Sequence, residues 1–437
     1  MAEHYFRAGD LPRAAEQFLA AAEQAQAAHD SAATAERAAR GLAAGAAGSV
    51  RGRLLLLQAE SREWQGDLAG SEAAARGAED LLEPGTAGWF QAAGTVLIMS
   101  ARLGASPEMD SRGARIAKAV ADEPAATCRQ VVALCRGALN ALWVGCPDLA
   151  ARWMERADAC SEADLDLLAT ARLHHARAYA CLNRGDLGGA LGEFIEASDA
   201  WESAGDLRSC TGVSTNIGYT WGRVGAFDRA EAVLRDQLAR AAKLGLGFLQ
   251  PVIEHNLATV IAFSGNVAEG LERKQEAVAR LGRSGHPRLD GNLQASLAEI
   301  LFLGGQQAEA EATAGRAADS LGAFPSTRAY ALAVQAAALL ALGRPLDALT
   351  VAGDGMAIFA RLGGLEEGES LLRVTWAEAQ LLAGDPQTGS SALLDAARRL
   401  EARARALPRD LRIAFLSSSP ARRRTFELAE ANGLTRG

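Results

Sequence analysis

Aromatic and β-branched residues are scarce in this chain of 437 residues, and long apolar runs are missing. Phe, Trp and Tyr together make up 5% of the sequence. Because strands are enriched in these residue types whereas Ala and Leu favour helices, the composition predicts helix nearly throughout and essentially no sheet. No apolar run is long enough for a transmembrane helix, and residues 1–7 carry no apolar signal region. We therefore expect a soluble, cytoplasmic protein.

Lysine is rare too, since Lys118, Lys243 and Lys274 are the only ones in a chain rich in arginine. The formal net charge is −8, and acidic and basic residues are mixed along the chain. Binding to nucleic acid or to an anionic membrane ordinarily requires clustered basic residues. The sequence therefore predicts no nucleic-acid partner and no membrane partner. We interpret the basic run 422–424 as a solvated helix face, with contact to an acidic partner as the alternative.

Motifs for catalysis and cofactor binding are also missing. The chain has no Gly-Lys dipeptide, which excludes a Walker A loop, and no G-x-S-x-G elbow. His174 and His175 are adjacent, so on a helix they point about 100° apart and cannot bind one metal ion together. The six cysteines form no C-x-x-C pair and are interpreted as small buried residues, with redox sensing as the alternative. We expect a non-enzymatic protein with no catalytic residue, cofactor or metal ion.

The chain does contain one pattern that recurs at a fixed step of 40 residues, marked by Gly225, Gly265 and Gly305. A small residue stands seven positions before each of these glycines and another stands five positions after it. Small residues on two helices joined by a tight turn allow the helices to approach closely, and a larger residue fills the space above their contact. The positions that we assign to this structural role are Gly218, Trp221, Ala230, Ala258 and Ala298.

The pattern extends over most of the chain. The turn glycines are Gly9, Gly66, Gly104, Gly145, Gly185, Gly225, Gly265, Gly305, Gly343 and Gly384. Only the turn at Gly104 lacks the small pair, having Leu97 and Met109 instead, so we expect an irregular hairpin there. A second set of glycines follows the second helix of each hairpin, where a left-handed residue ends the helix: Gly205, Gly245, Gly285, Gly322 and Gly363.

The spacing of these turns predicts three regions. Residues 1–48 hold an irregular N-terminal repeat and a lone helix with Ser31 as its N-cap, and residues 49–404 form the repeat array. Residues 405–437 hold two capping helices, because Leu407-Pro408 interrupts the array and helical segments follow.

Gly218, Trp221 and Ala230 match, in order, the small, large and small positions of the tetratricopeptide family, which the repeat resembles. That family's unit is 34 residues long. The longer period here resembles the superhelical sensor region of the bacterial maltose-regulon activator. Residues 5–16 and 415–429 resemble the boundaries of the C-terminal repeat region in bacterial signalling proteins with a kinase domain and a STAND-type ATPase, which implies a fragment of a longer polypeptide. These resemblances imply an all-α, right-handed superhelical solenoid of about ten hairpins.

Two positions before the first small residue of successive hairpins stand Arg136, Ala176, Asn216, Asn256, Ser296, Val334 and Thr375. We predict that polar members of this row line the concave groove of the solenoid: Arg136, Asn216, Asn256 and Ser296. Asn216 and Asn256 match the asparagine that many tetratricopeptide proteins use to hold a peptide backbone. A carboxamide suits that role because it both donates and accepts a hydrogen bond. Arg223, two helical turns after Asn216, could pair with a ligand carboxylate. Solvated surface asparagines are the alternative interpretation.

Together these features favour a sensor and interaction module of a bacterial signal-transduction protein. The expected ligand is a protein or peptide partner, or a small effector, bound in the concave groove. The alternative is a stand-alone scaffold or oligomerisation array that has no groove ligand and associates with a second copy of the chain, making a homo-oligomer.

Overall fold

The computed structural model describes residues 1–28, 30–104, 108–281 and 286–434, and 82% of the chain is helical. The described residues form 23 α-helices and one 3₁₀ helix, Glu162–Asp164, with no β-strand among them. The all-α prediction is confirmed. Contacts between Cα atoms divide the chain into two compact units: unit 1 is Met1–Ala141 with Pro147–Ala176, and unit 2 is Leu142–Cys146 with Arg177–Gly437. The sequence-based boundaries after residues 48 and 404 remain predictions, because this division groups residues by contact and not by repeat type.

The helices follow one another along the chain with short connections. The first nine are α1 (Ala2–Arg7), α2 (Leu11–Ala27), α3 (Ser31–Ala43), α4 (Gly48–Gln65), α5 (Leu68–Glu79), α6 (Ala87–Arg102), α7 (Met109–Lys118), α8 (Pro124–Trp143) and α9 (Pro147–Asp158). The next seven are α10 (Leu167–Arg184), α11 (Leu187–Ser203), α12 (Leu207–Val224), α13 (Phe227–Lys243), α14 (Leu249–Phe263), α15 (Val267–Leu281) and α16 (Pro287–Leu303). The last seven are α17 (Gln307–Ser320), α18 (Pro325–Ala341), α19 (Pro345–Leu362), α20 (Glu369–Leu382), α21 (Pro386–Ala406), α22 (Arg409–Ser417) and α23 (Pro420–Ala431).

Each hairpin turn is built on a glycine with a left-handed backbone. All ten predicted turn glycines have positive φ, between 74° and 118°. At five turns or helix junctions the next residue is an aspartate whose carboxylate accepts a hydrogen bond from a backbone N–H of the following helix: Asp10, Asp67, Asp186, Asp206 and Asp385. A Gly-Asp dipeptide therefore ends one helix and caps the next, which fixes the hairpin geometry locally.

Small residues stand where the two helices of a hairpin touch. A Cβ atom added to Gly218 would lie 2.7 Å from Leu234 Cγ, and one added to Gly270 would lie 2.8 Å from the carbonyl oxygen of Ala258. Ala230, Ala258 and Ala298 are fully buried. Trp221 is partly buried and packs against the cluster that contains Ala230 and Leu234, with the Arg229 guanidinium 5.1 Å from its ring centroid.

Replacing Gly218 by alanine should destabilise the protein, whereas the same change at Gly212 in the same helix should stabilise it. Gly212 has nothing within 4 Å of its added Cβ, so alanine there gains helix propensity, about 0.5–1 kcal/mol. At Gly218 the buried Leu234 must move, at a cost of roughly 1–3 kcal/mol. Urea denaturation of both variants measures the difference, and equal shifts of the midpoint would contradict the assigned contact.

Two predicted helix-end residues require correction, and a third lies outside the described residues. Asp30, and not Ser31, is the N-cap of α3, because its carboxylate accepts from the backbone N–H of Ala33 at 2.9 Å. Gly322 does not have a left-handed backbone, since α17 ends at Ser320 and the buried Leu321 turns the chain towards α18. The predicted C′ position at Gly285 is the one outside the described residues.

The predicted capping helices α22 and α23 are present, but the basic run at the start of α23 differs from the prediction. Arg422 is buried and not solvated: it donates to the carbonyl oxygen of Phe415 at 2.7 Å and to that of Arg223 at 3.0 Å. Burial lowers the pKa of Arg422 to about 9. Arg423 and Arg424 are exposed, and Arg424 pairs with Glu378. Within unit 2, the chain end therefore packs against the end of α12, 199 residues earlier.

Candidate functional site

The predicted groove residues belong to different units. Arg136 lies on α8 in unit 1, where it forms an ion pair of 2.5 Å with the carboxylate of Glu63. Burial favours the neutral acid there, but Arg136 and Arg102 outweigh it and lower the pKa of Glu63 to about 2. In the same unit, burial lowers the pKa of His175 to about 3. Arg136 is thus engaged in an ion pair of unit 1, whereas the other four predicted residues lie in unit 2.

In unit 2 the predicted residues lie on the first helices of three successive hairpins, α12, α14 and α16, and these first helices contact one another in order. Asn216 is half-buried on α12 and hydrogen-bonds to Tyr179. Asn256 is half-buried on α14, and its side chain has no hydrogen-bond partner within the described residues. Ser296 on α16 is buried and accepts a hydrogen bond from Lys274 at 3.0 Å. Arg223, near the end of α12, donates to the hydroxyl of Tyr219 at 2.7 Å.

Arg223 also donates to a segment that the sequence analysis did not connect with the site. This segment, residues 363–368 between α19 and α20, has the sequence Gly-Gly-Leu-Glu-Glu-Gly, and we call it the glutamate loop. Arg223 donates to the backbone carbonyl of Glu366. The Glu366 carboxylate accepts from Arg288 at 2.6 Å, and the Glu367 carboxylate accepts from the Tyr219 hydroxyl at 2.6 Å.

The glutamate loop is held closely on both sides of its two acids. Asn292 donates to the second carboxylate of the loop, and Ser326 accepts from the backbone N–H of the first glutamate at 3.4 Å. Leu365 is 1% exposed. A Cβ atom on Gly364 would lie 2.0 Å from the carbonyl oxygen of Asn183, so the loop backbone passes where no side chain fits. An acidic stretch of chain, bent at residues 363 and 366–368, therefore occupies the surface formed by α12, α16 and α18.

Two carboxylates and two guanidinium groups lie close together in this largely buried site, where Arg288 pairs directly with Glu366 and Arg223 donates to the loop backbone. Burial raises the pKa of Glu366, and the neighbouring Glu367 carboxylate adds to the rise, while Arg288 and Arg223 oppose it. Burial disfavours the charged form of Arg223, but Tyr219 and Glu367 outweigh it and raise the pKa of that guanidinium. Arg288 also lies over the ring of Trp143, 4.2 Å from its centroid. Charge-assisted hydrogen bonds of this kind are strong and directional.

A second polar group lies next to the first and is centred on Lys274 of α15, which is fully buried. Its ammonium donates to the Thr259 hydroxyl at 2.7 Å and to the carbonyl oxygen of His255 at 2.8 Å, and it also lies 2.8 Å from His255 Nδ1. Burial lowers the pKa of Lys274 to about 7, against the opposing carboxylates of Glu367 and Glu299. Burial and Lys274 together lower the pKa of His255.

Other kinds of site find no support in the described part of the chain. No group of three or more His, Cys, Asp or Glu side chains among those residues could hold a metal ion. None of the described helices is long and apolar enough to cross a membrane. Cys128, Cys135, Cys181 and Cys210 are buried, while Cys146 and Cys160 are partly exposed.

Helical hairpins with a small pair at every turn but that of Gly104 define a tetratricopeptide-like repeat protein. The structure is similar to that of a Rap protein complexed with competence and sporulation factor, with a TM-score of 0.55, 11% identity, and coverage of 88% of this chain and 99% of that one. It is also similar to NprR in complex with its cognate peptide NprX, with a TM-score of 0.51, 10% identity, and coverage of 78% of this chain and 98% of that one. The predicted tetratricopeptide-like fold is confirmed, and identities this low show the fold alone.

A STAND protein with a tetratricopeptide repeat sensor from Pyrococcus horikoshii has a TM-score of 0.39 and 15% identity, covering 80% of this chain and 55% of that one. A TM-score this low has no bearing on function. No protein-family model and no curated protein matches the chain.

Sequence reasoning missed the glutamate loop and Lys274. The signal for the loop was present, since two adjacent glutamates stand between glycines after a predicted helix end at Gly363. The signal for the lysine was its rarity in an arginine-rich chain.

Proposed function

We propose that this protein is a non-enzymatic peptide- or protein-binding module of a bacterial signal-transduction protein, and that it holds a partner segment in the groove formed by the first helices of unit 2. The observation that carries the proposal is the way Arg223 and its neighbours hold a non-helical stretch of chain through both its backbone and its side chains. A surface that holds one such segment has the donors and acceptors needed to hold another.

Two further features support the proposal. The Asn256 carboxamide is half-buried and has no hydrogen-bond partner among the described residues, so it can hold a ligand's backbone without losing a contact within the protein. The two structural relatives with the higher TM-scores are complexes, of a Rap protein with competence and sporulation factor and of NprR with its cognate peptide. Binding would change the packing of the first helices α12, α14 and α16, which contact one another in order, and so be transmitted along the repeat array.

The test is a peptide-array screen with the wild-type chain, followed by the affinity of each captured peptide for an Asn216→Ala/Asn256→Ala variant. Loss of two neutral hydrogen bonds should weaken binding by about tenfold or more. A Gln275→Ala/Gln387→Ala variant is the matched control, since it removes two exposed carboxamides from the second helices α15 and α21. Unchanged capture of every peptide by the Asn216→Ala/Asn256→Ala variant would show that the peptides do not bind in this groove.

A further inference from the structure

The glutamate loop occupies the surface on which we place the partner. It contacts α12 through Arg223 and Tyr219, and α16 through Arg288 and Asn292. A partner segment that reaches Arg223 must therefore displace the backbone of Glu366. The loop is in direct competition with any ligand of this groove.

The contacts of the loop define the chemistry of the site. They consist of one donor to a backbone carbonyl, a guanidinium for a first carboxylate, and a hydroxyl with a carboxamide for a second carboxylate on the next residue. These groups all donate a hydrogen bond, and Ser326 adds one acceptor for a backbone N–H, so the site suits a segment that presents mainly acceptors. The ligand chemistry that fits is two adjacent carboxylates on a backbone bent like that of residues 366–368.

The loop does not use the full capacity of this site. Arg288 holds Glu366 through Nη2 alone, while its buried Nε has no hydrogen-bond partner among the described residues. A guanidinium can hold a carboxylate through two parallel N–H groups, which is stronger than a single bond. A free peptide can orient its carboxylate for that second bond, whereas the loop is constrained by the helices at both of its ends.

The loop can also be released without unfolding a helix. It begins immediately after α19 and ends immediately before α20, and three of its six residues are glycines. Its acids are buried at a cost, since burial raises the pKa of Glu366. The main apolar anchor is Leu365, whose side chain is almost fully buried.

We propose that the glutamate loop is an internal ligand of the groove, and that the partner which replaces it is an acidic peptide segment with two adjacent carboxylates. This inference rests on the proposed function and adds to it a ligand class and a mode of autoinhibition. The closed form has the loop seated, and the open form exposes Arg223 and Arg288 to the partner. The apparent affinity for the partner then depends on the fraction of molecules whose loop is released.

The experiment compares two short fluorescent peptides, Gly-Gly-Leu-Glu-Glu-Gly and Gly-Gly-Leu-Gln-Gln-Gly, in titrations of the full chain. The protein variants are the wild type, Glu366→Gln/Glu367→Gln, and the control Glu272→Gln/Glu276→Gln, which removes the same charge from an exposed face of α15. Weakening the internal ligand should tighten binding of the Glu-Glu peptide by about tenfold or more, and the control should leave it at the wild-type value. The Gln-Gln peptide should bind neither variant measurably better than wild type.

A second measurement uses the wild-type chain alone, so the test does not depend on the loop variant being folded. Hydrogen exchange at the amides of residues 364–368 should speed up when the Glu-Glu peptide is added at saturation, because the loop is released. The Gln-Gln peptide should leave these amides unchanged.

The failure of this inference can be told from that of the proposed function. Array peptides that need Asn216 and Asn256 but show no preference for adjacent glutamates would overturn the inference and leave the proposed function standing. Equal affinity of the Glu-Glu peptide for wild type and the loop variant, or loop exchange that does not change on binding, would also overturn the inference. Absence of binding by any peptide to any variant would overturn both.

Discussion

Replacing Glu369 by glutamine should lower the free energy of unfolding by about 3–5 kcal/mol, the largest loss that we expect from any single substitution. Glu369 is the first residue of α20, and its side chain is 2% exposed. Its carboxylate pairs with three arginines: Arg373 at 3.1 Å, Arg399 at 2.5 Å and Arg403 at 2.6 Å. Without the negative charge these guanidinium groups would repel one another in a place that water reaches poorly.

The matched control is Glu231→Gln, which breaks the exposed pair between Glu231 and Arg235 on α13. An exposed pair of this kind contributes about 0–1 kcal/mol. Chemical denaturation of the two variants should therefore give clearly different midpoints. A loss at Glu369 no larger than that at Glu231 would mean that the three arginines are adequately solvated without it.

Acid titration supplies an independent signature of Glu369. Burial favours its neutral form, but Arg403, Arg399 and Arg373 outweigh burial and hold the pKa below the usual value of 4.5. Because the folded pKa is lowered, the stabilisation is present above pH 4.5 and is lost as the pH falls through the folded pKa. The glutamine variant should lack this component of acid destabilisation, whereas Glu231→Gln should retain it.

The repeat could be predicted from the sequence because its physical cause is local. A turn glycine and the two small residues around it lie within a dozen positions, so their pattern recurs at a fixed step. The aspartate caps are local as well, and Asp30 stands directly before Ser31 as a second N-cap candidate in the sequence, although no glycine precedes it. Helix ends governed by a buried residue, such as Leu321, gave no such signal, because burial depends on the neighbouring hairpin.

The contents of the candidate site could not be predicted in the same way. The partners of the glutamate loop lie 143 positions away at Arg223 and 78 positions away at Arg288, and pairs at such separations leave no periodic trace in one sequence. The buried contact between Arg422 and the end of α12 is equally remote, at 199 positions. Polar residues on one helix face can be predicted as a row, but which segment covers them depends on how unit 2 folds back on itself.

The surroundings of Lys274 are a second example of contacts that could not be predicted from the sequence. A buried cation needs every donor satisfied, and an ammonium has three N–H groups where a guanidinium has five. The site around Lys274 offers His255, Thr259 and Ser296 as acceptors, which suits the smaller group. The presence of lysine among so many arginines is explained by this geometry, which the sequence does not display.

Replacing Lys274 by methionine should abolish a rise in stability that the wild type shows between pH 7 and pH 9. Burial lowers the pKa of Lys274 from 10.5 to about 7 in the folded protein. Between these two values the unfolded chain binds a proton that the folded chain does not, so stability increases as the pH rises. The slope contributed by one such group is about 1 kcal/mol per pH unit, and below the folded pKa the full penalty of the buried charge remains.

The measurement is the urea midpoint of wild type, Lys274→Met and Lys243→Met at several pH values within that window. Lys243 is exposed at the end of α13, so its replacement should leave the wild-type slope in place. His255, Glu299 and Glu367 face the Lys274 ammonium, and Lys274 itself lowers the pKa of His255. The measurements therefore begin at pH 7, above the ordinary histidine pKa of 6.5, so that the change at Lys274 acts little through His255. The difference between wild type and Lys274→Met should therefore shift in favour of wild type as the pH rises. Parallel curves for these two proteins would show that Lys274 keeps its proton throughout and that the surrounding carboxylates, not its burial, govern its charge.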